Sequence, residues 1–168
     1  MLLRDAPTTE VTIKIDATAD AAWAVISDIG LPCRFSPELQ SVEWLDGATE
    51  VAPGARFQGN NANPHMGQWS TVSRIIEVEP HRRLVWQIEG EPGEAAPATW
   101  AFEIDQASTG IILRQWVRLG PGPSGLSMAI ATMPEKEGRI IERRLGEHRE
   151  AMESNLEGIA EILSDAPD

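Results

Sequence analysis

Apolar side chains return every three or four positions through the last part of the chain, at Ile141, Leu145, Met152, Ile159 and Leu163, with His148 and Asn155 set into the same stripe. This is the helical period, and it predicts one long amphipathic helix from Pro134 to Leu163. Upstream the period is two. Val11, Ile13 and Ile15 alternate with Thr12, Lys14 and Asp16, which predicts a first strand over residues 10–16. Thr18 then reads as the N-cap of a short helix carrying Ala22, Val25, Ile26 and Ile29 on one face. Gly30 and Pro32 break it, and a second helical turn, Cys33–Phe35, is stopped by Pro37.

Six more strands are predicted, over Gln40–Leu45, Ala55–Asn61, Gln68–Glu79, Arg83–Glu89, Thr99–Asp105 and Ile111–Leu119. Asp46-Gly47, Pro53-Gly54, Pro64, Pro80, Pro92-Gly93 and Thr109-Gly110 punctuate them. Such short connections favour an antiparallel meander, and a sheet of seven strands twists and curls. The predicted fold is α+β: a curved seven-stranded antiparallel sheet wrapped around the long C-terminal helix, with two short helices after the first strand. Trp100, Phe102 and Ile104 share one strand face, as do Leu84, Trp86 and Ile88, and Leu113, Val117 and Leu119. These sets are expected to point at the helix and the charged sets at water. Gln115 is then a polar residue on an inward face. One domain is expected over residues 1–168, with its core at about 10–164.

Composition narrows the partners. The 168 residues carry a formal net charge of -12, which argues against polyanions such as nucleic acid and anionic membrane surfaces. No apolar run approaches the roughly 18 residues of a membrane span, and Met1–Glu10 lacks the apolar core of a signal peptide. The single Cys33 has no internal disulfide partner, which fits a reducing, cytoplasmic setting. Tyrosine is absent, so no phenol is available as an acid or as a ligand clamp.

Motifs for catalysis by metal or nucleophile are missing. The three histidines and one cysteine form no metal-ligand spacing, and no G-x-S-x-G elbow occurs; neither a metal nor an organic cofactor is expected. Gly120, Gly122 and Gly125 match a dinucleotide-binding spacing, but Pro121 and Pro123 remove the backbone donors that a pyrophosphate needs, and no βαβ unit surrounds them.

In order along the chain, Trp23 through Asp28, Phe35-Ser36-Pro37, Gly54 with Phe57, Val78-Glu79-Pro80, Leu84 with Trp86, and Trp100 with Phe102 resemble the START-like, SRPBCC or polyketide cyclase/dehydratase superfamily, from about Val11 to Leu163. Ile111 departs from the threonine that many relatives place after the glycine. The resemblance implies a helix-grip fold with a deep pocket between sheet and long helix, and it leaves activity open, because one fold serves many functions.

For such a pocket the candidate ligand-binding residues are Phe57, Asn61, Trp69, Thr71, Trp86, Trp100, Gln115, Met128, Met133, His148 and Met152, with Ser73 as a further polar candidate. His148 and His65 are the candidate acid–base groups; the first reads more readily as a satisfied core histidine, and the second as an ordinary polar turn. The apolar segment from Ser124 to Met133 reads either as a lid or as a helical turn capping the core. Arg139, Arg143, Arg144 and Arg149 read as a solvated helix face with an Arg143–Glu147 pair, Arg139 being the residue that an anionic head would reach. The leading expectation is binding of a small hydrophobic molecule, a lipid, isoprenoid or aromatic polyketide. The alternatives are a polyketide aromatase/cyclase or dehydratase, and a protein-interaction module using the exterior around Trp116.

Overall fold

A computed structural model describes residues 1–165 of the chain. Its strands are β1 (Thr8–Ile15), β2 (Leu39–Trp44), β3 (Arg56–Asn63), β4 (Gly67–Glu79), β5 (Arg83–Ile88), β6 (Ala98–Gln106) and β7 (Ile111–Leu119). Three α-helices accompany them, α1 (Ala19–Ile26), α2 (Gly125–Thr132) and α3 (Glu137–Asp165), with short 3₁₀ turns at Leu3–Asp5, Leu31–Arg34 and Pro134–Lys136. The architecture is the α+β helix-grip: one seven-stranded antiparallel sheet curled around a long C-terminal helix.

Strand order is β1-β7-β6-β5-β4-β3-β2. The meander expected of all seven strands therefore holds for β2 to β7 only. β1 pairs with β7, from Thr8 opposite Arg118 to Ile15 opposite Ile111. The chain leaves β1 at one edge of the sheet and returns as β2 at the other, so α1 and the Leu31–Arg34 turn must span the open side. Thr18 caps α1 as expected, its hydroxyl oxygen accepting from the Ala21 amide at 3.1 Å. Gly110 turns β6 into β7 with φ 68°, and any side chain there would strike the Ile15 carbonyl.

Alternation sorts the sheet into two faces, with one reset. In β4 a bulge between Ile75 and Glu77 pushes Ile76 outward and lets both Ile75 and Val78 face inward, opposite Trp86 and Leu84. The outward face is less wet than its charged residues suggest. Thr99, Ala101 and Glu103 are all buried. Glu103 lies between Arg83, at 2.9 Å, and Arg114, so long arginine side chains lie over the strands they flank.

The core occupies one half of the sheet–helix interface. Ile15, Ile104, Ile111 and Leu113 pack on Leu156, Ile159 and Leu163 of α3, with Ala22 and Ile26 of α1 closing the end. Leu3, Val117 and Leu119 pack on Ile141, Leu145 and Met152 farther up the helix. Full burial of each such aliphatic side chain contributes about 1.5–3 kcal/mol. Phe35 lies flat against Gly158, where a Cβ would collide with its ring, and this contact docks the 3₁₀ turn onto α3. A third cluster, Phe57, Ile75 and Leu84 with Trp23, Trp44 and Trp86 partly buried around it, lines β3–β5 without reaching α3. No helix of the described residues is long and apolar enough to cross a membrane.

Candidate functional site

Where β2–β6 curve away from α3 they leave a cavity of about 360 Å³. Its floor and walls are apolar: Phe57, Ile75, Leu84, Trp86, Trp100 and Phe102 from the sheet, Ile26 and Ile29 from the α1 end. The aromatics support one another. Trp86 stacks on Trp100 at 6.4 Å and tilts against Phe57 and Phe102, at 6.5 and 5.8 Å. Gly59 lines the wall between Leu39 and Thr71, and its missing side chain adds to the open volume.

The helix contributes Arg144, His148, Ala151 and Asn155, spaced four, three and four residues apart, so one stripe of α3 forms a wall of the cavity. Gln115 reaches in from β7 and touches Asn155, whose Nδ2 donates to the Gln115 Oε1 at 3.4 Å. Both are buried, 3% and 6% exposed, and the Asn155 Oδ1 has no partner. His148 meets Trp100 edge-on at 4.9 Å, and among the described residues neither ring nitrogen makes a hydrogen bond. Burial, and then the nearby Arg144 charge, pushes the imidazole down to about 3, with Glu38 partly offsetting them. At neutral pH His148 is uncharged.

Exposed lining residues Pro37, Pro64, His65 and Glu150 mark the mouth. Across it runs an ion-pair network. Arg144 grips both oxygens of Glu38, at 2.9 and 3.1 Å, and also donates to Glu147 at 2.8 Å. Asn63, at the end of β3, donates to the Glu38 Oε2 at 3.1 Å. One carboxylate thus joins the loop before β2, the β3–β4 hairpin and α3. Burial disfavours the charged form of Glu38, but the Arg144 hydrogen bonds and charge outweigh it and hold the carboxyl below its ordinary value. Ser36 shapes this loop by accepting from the amides of Glu38 and Leu39.

The residues singled out from the sequence divide between this cavity and its surroundings. Phe57, Asn61, Thr71, Ser73, Trp86, Trp100, Gln115, His148 and His65 line it. Trp69, Met128, Met133 and Met152 do not. Trp69 lies opposite Asn61 and is itself outside the lining, although Asn61 and Asn63 belong to it. Met152 is wholly buried against Leu3 and Val117, because it lies one residue past the cavity stripe of α3 and faces β1 and β7. Met133 follows the last residue of α2, a helix that carries Met128 and is started by a Ser124–Ser127 capping box. Its Leu126 and Ile130 pack on the core, Met128 is 71% exposed, and no residue of it lines the cavity.

Arg139 is exposed and away from the cavity, whereas Arg144, grouped by sequence with the solvated arginines, sits at the mouth. The Arg143–Glu147 pair forms at 3.2 Å. Trp116 lies on the outer face with the Arg118 guanidinium 5.8 Å from its ring. Glu38, Arg144 and Asn155 were not among the sequence candidates. The signal was present for two of them: Arg144 is one helical turn before His148, and Asn155 is polar on an otherwise apolar stripe.

A curled antiparallel sheet, a long helix closing it, and an apolar cavity between them define the helix-grip class of fold. The chain belongs to the polyketide cyclase / dehydrase and lipid transport family, whose pattern it matches over residues 6–153. No functionally curated protein matches it in sequence. Among solved structures, a polyketide cyclase-like protein from Corynebacterium glutamicum is 26% identical, with a TM-score of 0.63 over 94% of this chain and 91% of that one. The ZhuI aromatase/cyclase from Streptomyces sp. R1128 is 18% identical, with a TM-score of 0.68 over 95% and 96%. The di-domain aromatase/cyclase StfQ of the steffimycin biosynthetic pathway is 14% identical, with a TM-score of 0.70, over 94% of this chain and 50% of that one. The last two share the fold.

Proposed function

We propose that this protein binds a small, predominantly apolar molecule in the cavity between sheet and helix, as a carrier or sensor of that molecule. The observation that supports this most is the cavity itself: about 360 Å³, walled by Phe57, Trp86, Trp100 and Phe102, and polar at few points. That volume and lining are those of small-molecule sites, which run to roughly 300–1,000 Å³. An interaction module without a ligand has no use for such a space.

Catalysis on a poly-β-ketone is the weaker reading, for a reason of magnitude. A general base works best with a pKa near the working pH. The His148 imidazole, pushed down to about 3, takes up a proton poorly. It serves better as a neutral hydrogen-bonding group. His65 stands exposed at the rim, away from the buried polar pair.

Native mass spectrometry after incubation with fatty acids, sterols, isoprenoids and aromatic polyketides tests the proposal. A retained, unaltered compound is expected, and Thr71→Trp, which fills the cavity from β4, should abolish its retention while the far-ultraviolet circular dichroism is kept. Release of a product lighter by one water would replace carriage with dehydratase chemistry. No retained compound across the panel would overturn the ligand-binding reading.

A further inference from the structure

The charges around the cavity bear on which polar end its ligand can carry. Among the lining residues Arg144 is the only lysine or arginine. Its guanidinium is already shared out: both oxygens of Glu38 accept from it, at 2.9 and 3.1 Å, and Glu147 accepts at 2.8 Å. An anion that captured Arg144 would strip Glu38, itself half-buried, of its counter-charge and leave it only the Asn63 amide. Leaving a shielded charge without its partner is costly. His148 offers an anion no charge, since burial keeps its ring neutral at pH 7.

Carboxylates, by contrast, stand free on the same lining. Glu150 and Asp28 are both exposed, and among the described residues neither lies within ion-pair distance of a lysine or arginine. Arg149, next to Glu150 in the chain, pairs with Glu153 instead. Asp28 accepts only from the Gly30 amide, at 3.0 Å. Glu147 has Arg143 as a second partner from outside the lining. Arg143 and Arg144 thus balance Glu38 and Glu147, and the charges of Glu150 and Asp28 are left over. His65 on the rim adds at most one positive charge, so the balance stays negative. The net charge of the whole chain, -12, has the same sign.

Resting on the ligand-binding reading above, we propose that the cavity selects its ligand by charge. It accepts a molecule whose polar end is uncharged or cationic, such as an alcohol, ketone or amine, and rejects one that ends in a carboxylate or phosphate. A free fatty acid has the same sign as every unengaged charged group on the lining except His65. A long-chain or aromatic amine meets two unengaged carboxylates. Desolvation alone does not separate the two, because ammonium and carboxylate both resist leaving water.

Isothermal titration calorimetry at low ionic strength reads the selection directly. One set of probes is 1-decanol, decylammonium and decanoate; the other is 2-naphthalenemethanol, 2-naphthylmethylammonium and 2-naphthoate. In at least one set the ammonium compound should bind about tenfold more tightly than the carboxylate, and the gap should narrow as salt is added. Glu38→Gln, which releases Arg144, should bring the two affinities to within about twofold. Glu150→Gln, at an exposed and unpaired position, should reduce the ratio by about threefold, and it carries the test if the Glu38 variant does not fold. Glu161→Gln removes an equal charge far along α3 and off the lining, and should leave the ratio as it is. A carboxylate that binds as tightly as its ammonium partner, or a ratio that Glu161→Gln moves as far as the lining variants do, overturns the inference; binding of the alcohols then leaves the apolar-ligand reading standing. Absence of binding by all six compounds overturns both.

Discussion

The two halves of the sheet treat the long helix differently. β1 and β7 lie directly on α3, where Ile15, Ile111 and Leu113 are buried against Leu156, Ile159 and Leu163. β3–β5 carry residues of the same kind, Phe57, Ile75 and Leu84, yet these face the cavity. The difference is one of width. A single helix about 10–12 Å across cannot cover seven strands spaced about 4.8 Å apart. The packed half holds the helix in place, and the remaining volume is what a ligand can occupy.

The comparison can be pressed hardest at Ile159. Trimming it to alanine in the packed half should cost about 2–5 kcal/mol in urea unfolding, since its neighbours cannot collapse into the gap. A loss below 1 kcal/mol would mean that this half is also loosely filled. Next comes Gly158→Ala, a change that normally favours a helix by about 1 kcal/mol. Here the added methyl drives into the Phe35 ring, so a net loss of about 1–3 kcal/mol is expected by the same measurement. A gain in stability would show that Phe35 does not lean on α3.

The open half gives the smallest effect, and it depends on pH. The His148 imidazole titrates at about 3 in the folded chain against an ordinary value of 6.5. Between those values the unfolded chain binds the extra proton, so its contribution to stability is full above pH 6.5 and declines as pH falls. The slope is at most about 1.4 kcal/mol per pH unit. Unfolding of His148→Gln, followed from pH 6.5 to 5, should show a shallower loss than the unaltered protein. Identical slopes would place the ring in contact with water.

How far the sequence reveals this arrangement follows from what periodicity encodes. The α3 stripe, the Thr18 cap and the strand segments β3–β7 are legible because each rests on local spacing and turn chemistry. The pairing of β1 with β7 is not local, and no pattern between residues 15 and 39 announces it. At the site, the inward parity of Asn61, Thr71, Ser73, Trp86, Trp100 and Gln115 follows from alternation. The length of the cavity does not, and Trp69 shares that parity while standing outside it. Met152 and His148 are neighbours on one stripe, yet one faces β7 and the other the cavity; a hydrophobic period has no resolution finer than that. Arg144 was obscured by Arg143 beside it, because charge invites a solvent-facing reading until Glu38, 106 residues away, is seen to meet it.

The Glu38–Arg144 pair has a consequence in time. A molecule that entered between the Glu38 loop and α3 would have to part it, whether arriving or leaving, and the pair would re-form once the passage was made. Its strength would therefore slow filling and emptying by the same factor and cancel from the equilibrium between them. On that route the pair would govern how long the cavity keeps a ligand, and the apolar walls how firmly. Being only partly shielded, the pair weakens with added salt, so exchange by this route would quicken at high ionic strength without a matching change in occupancy.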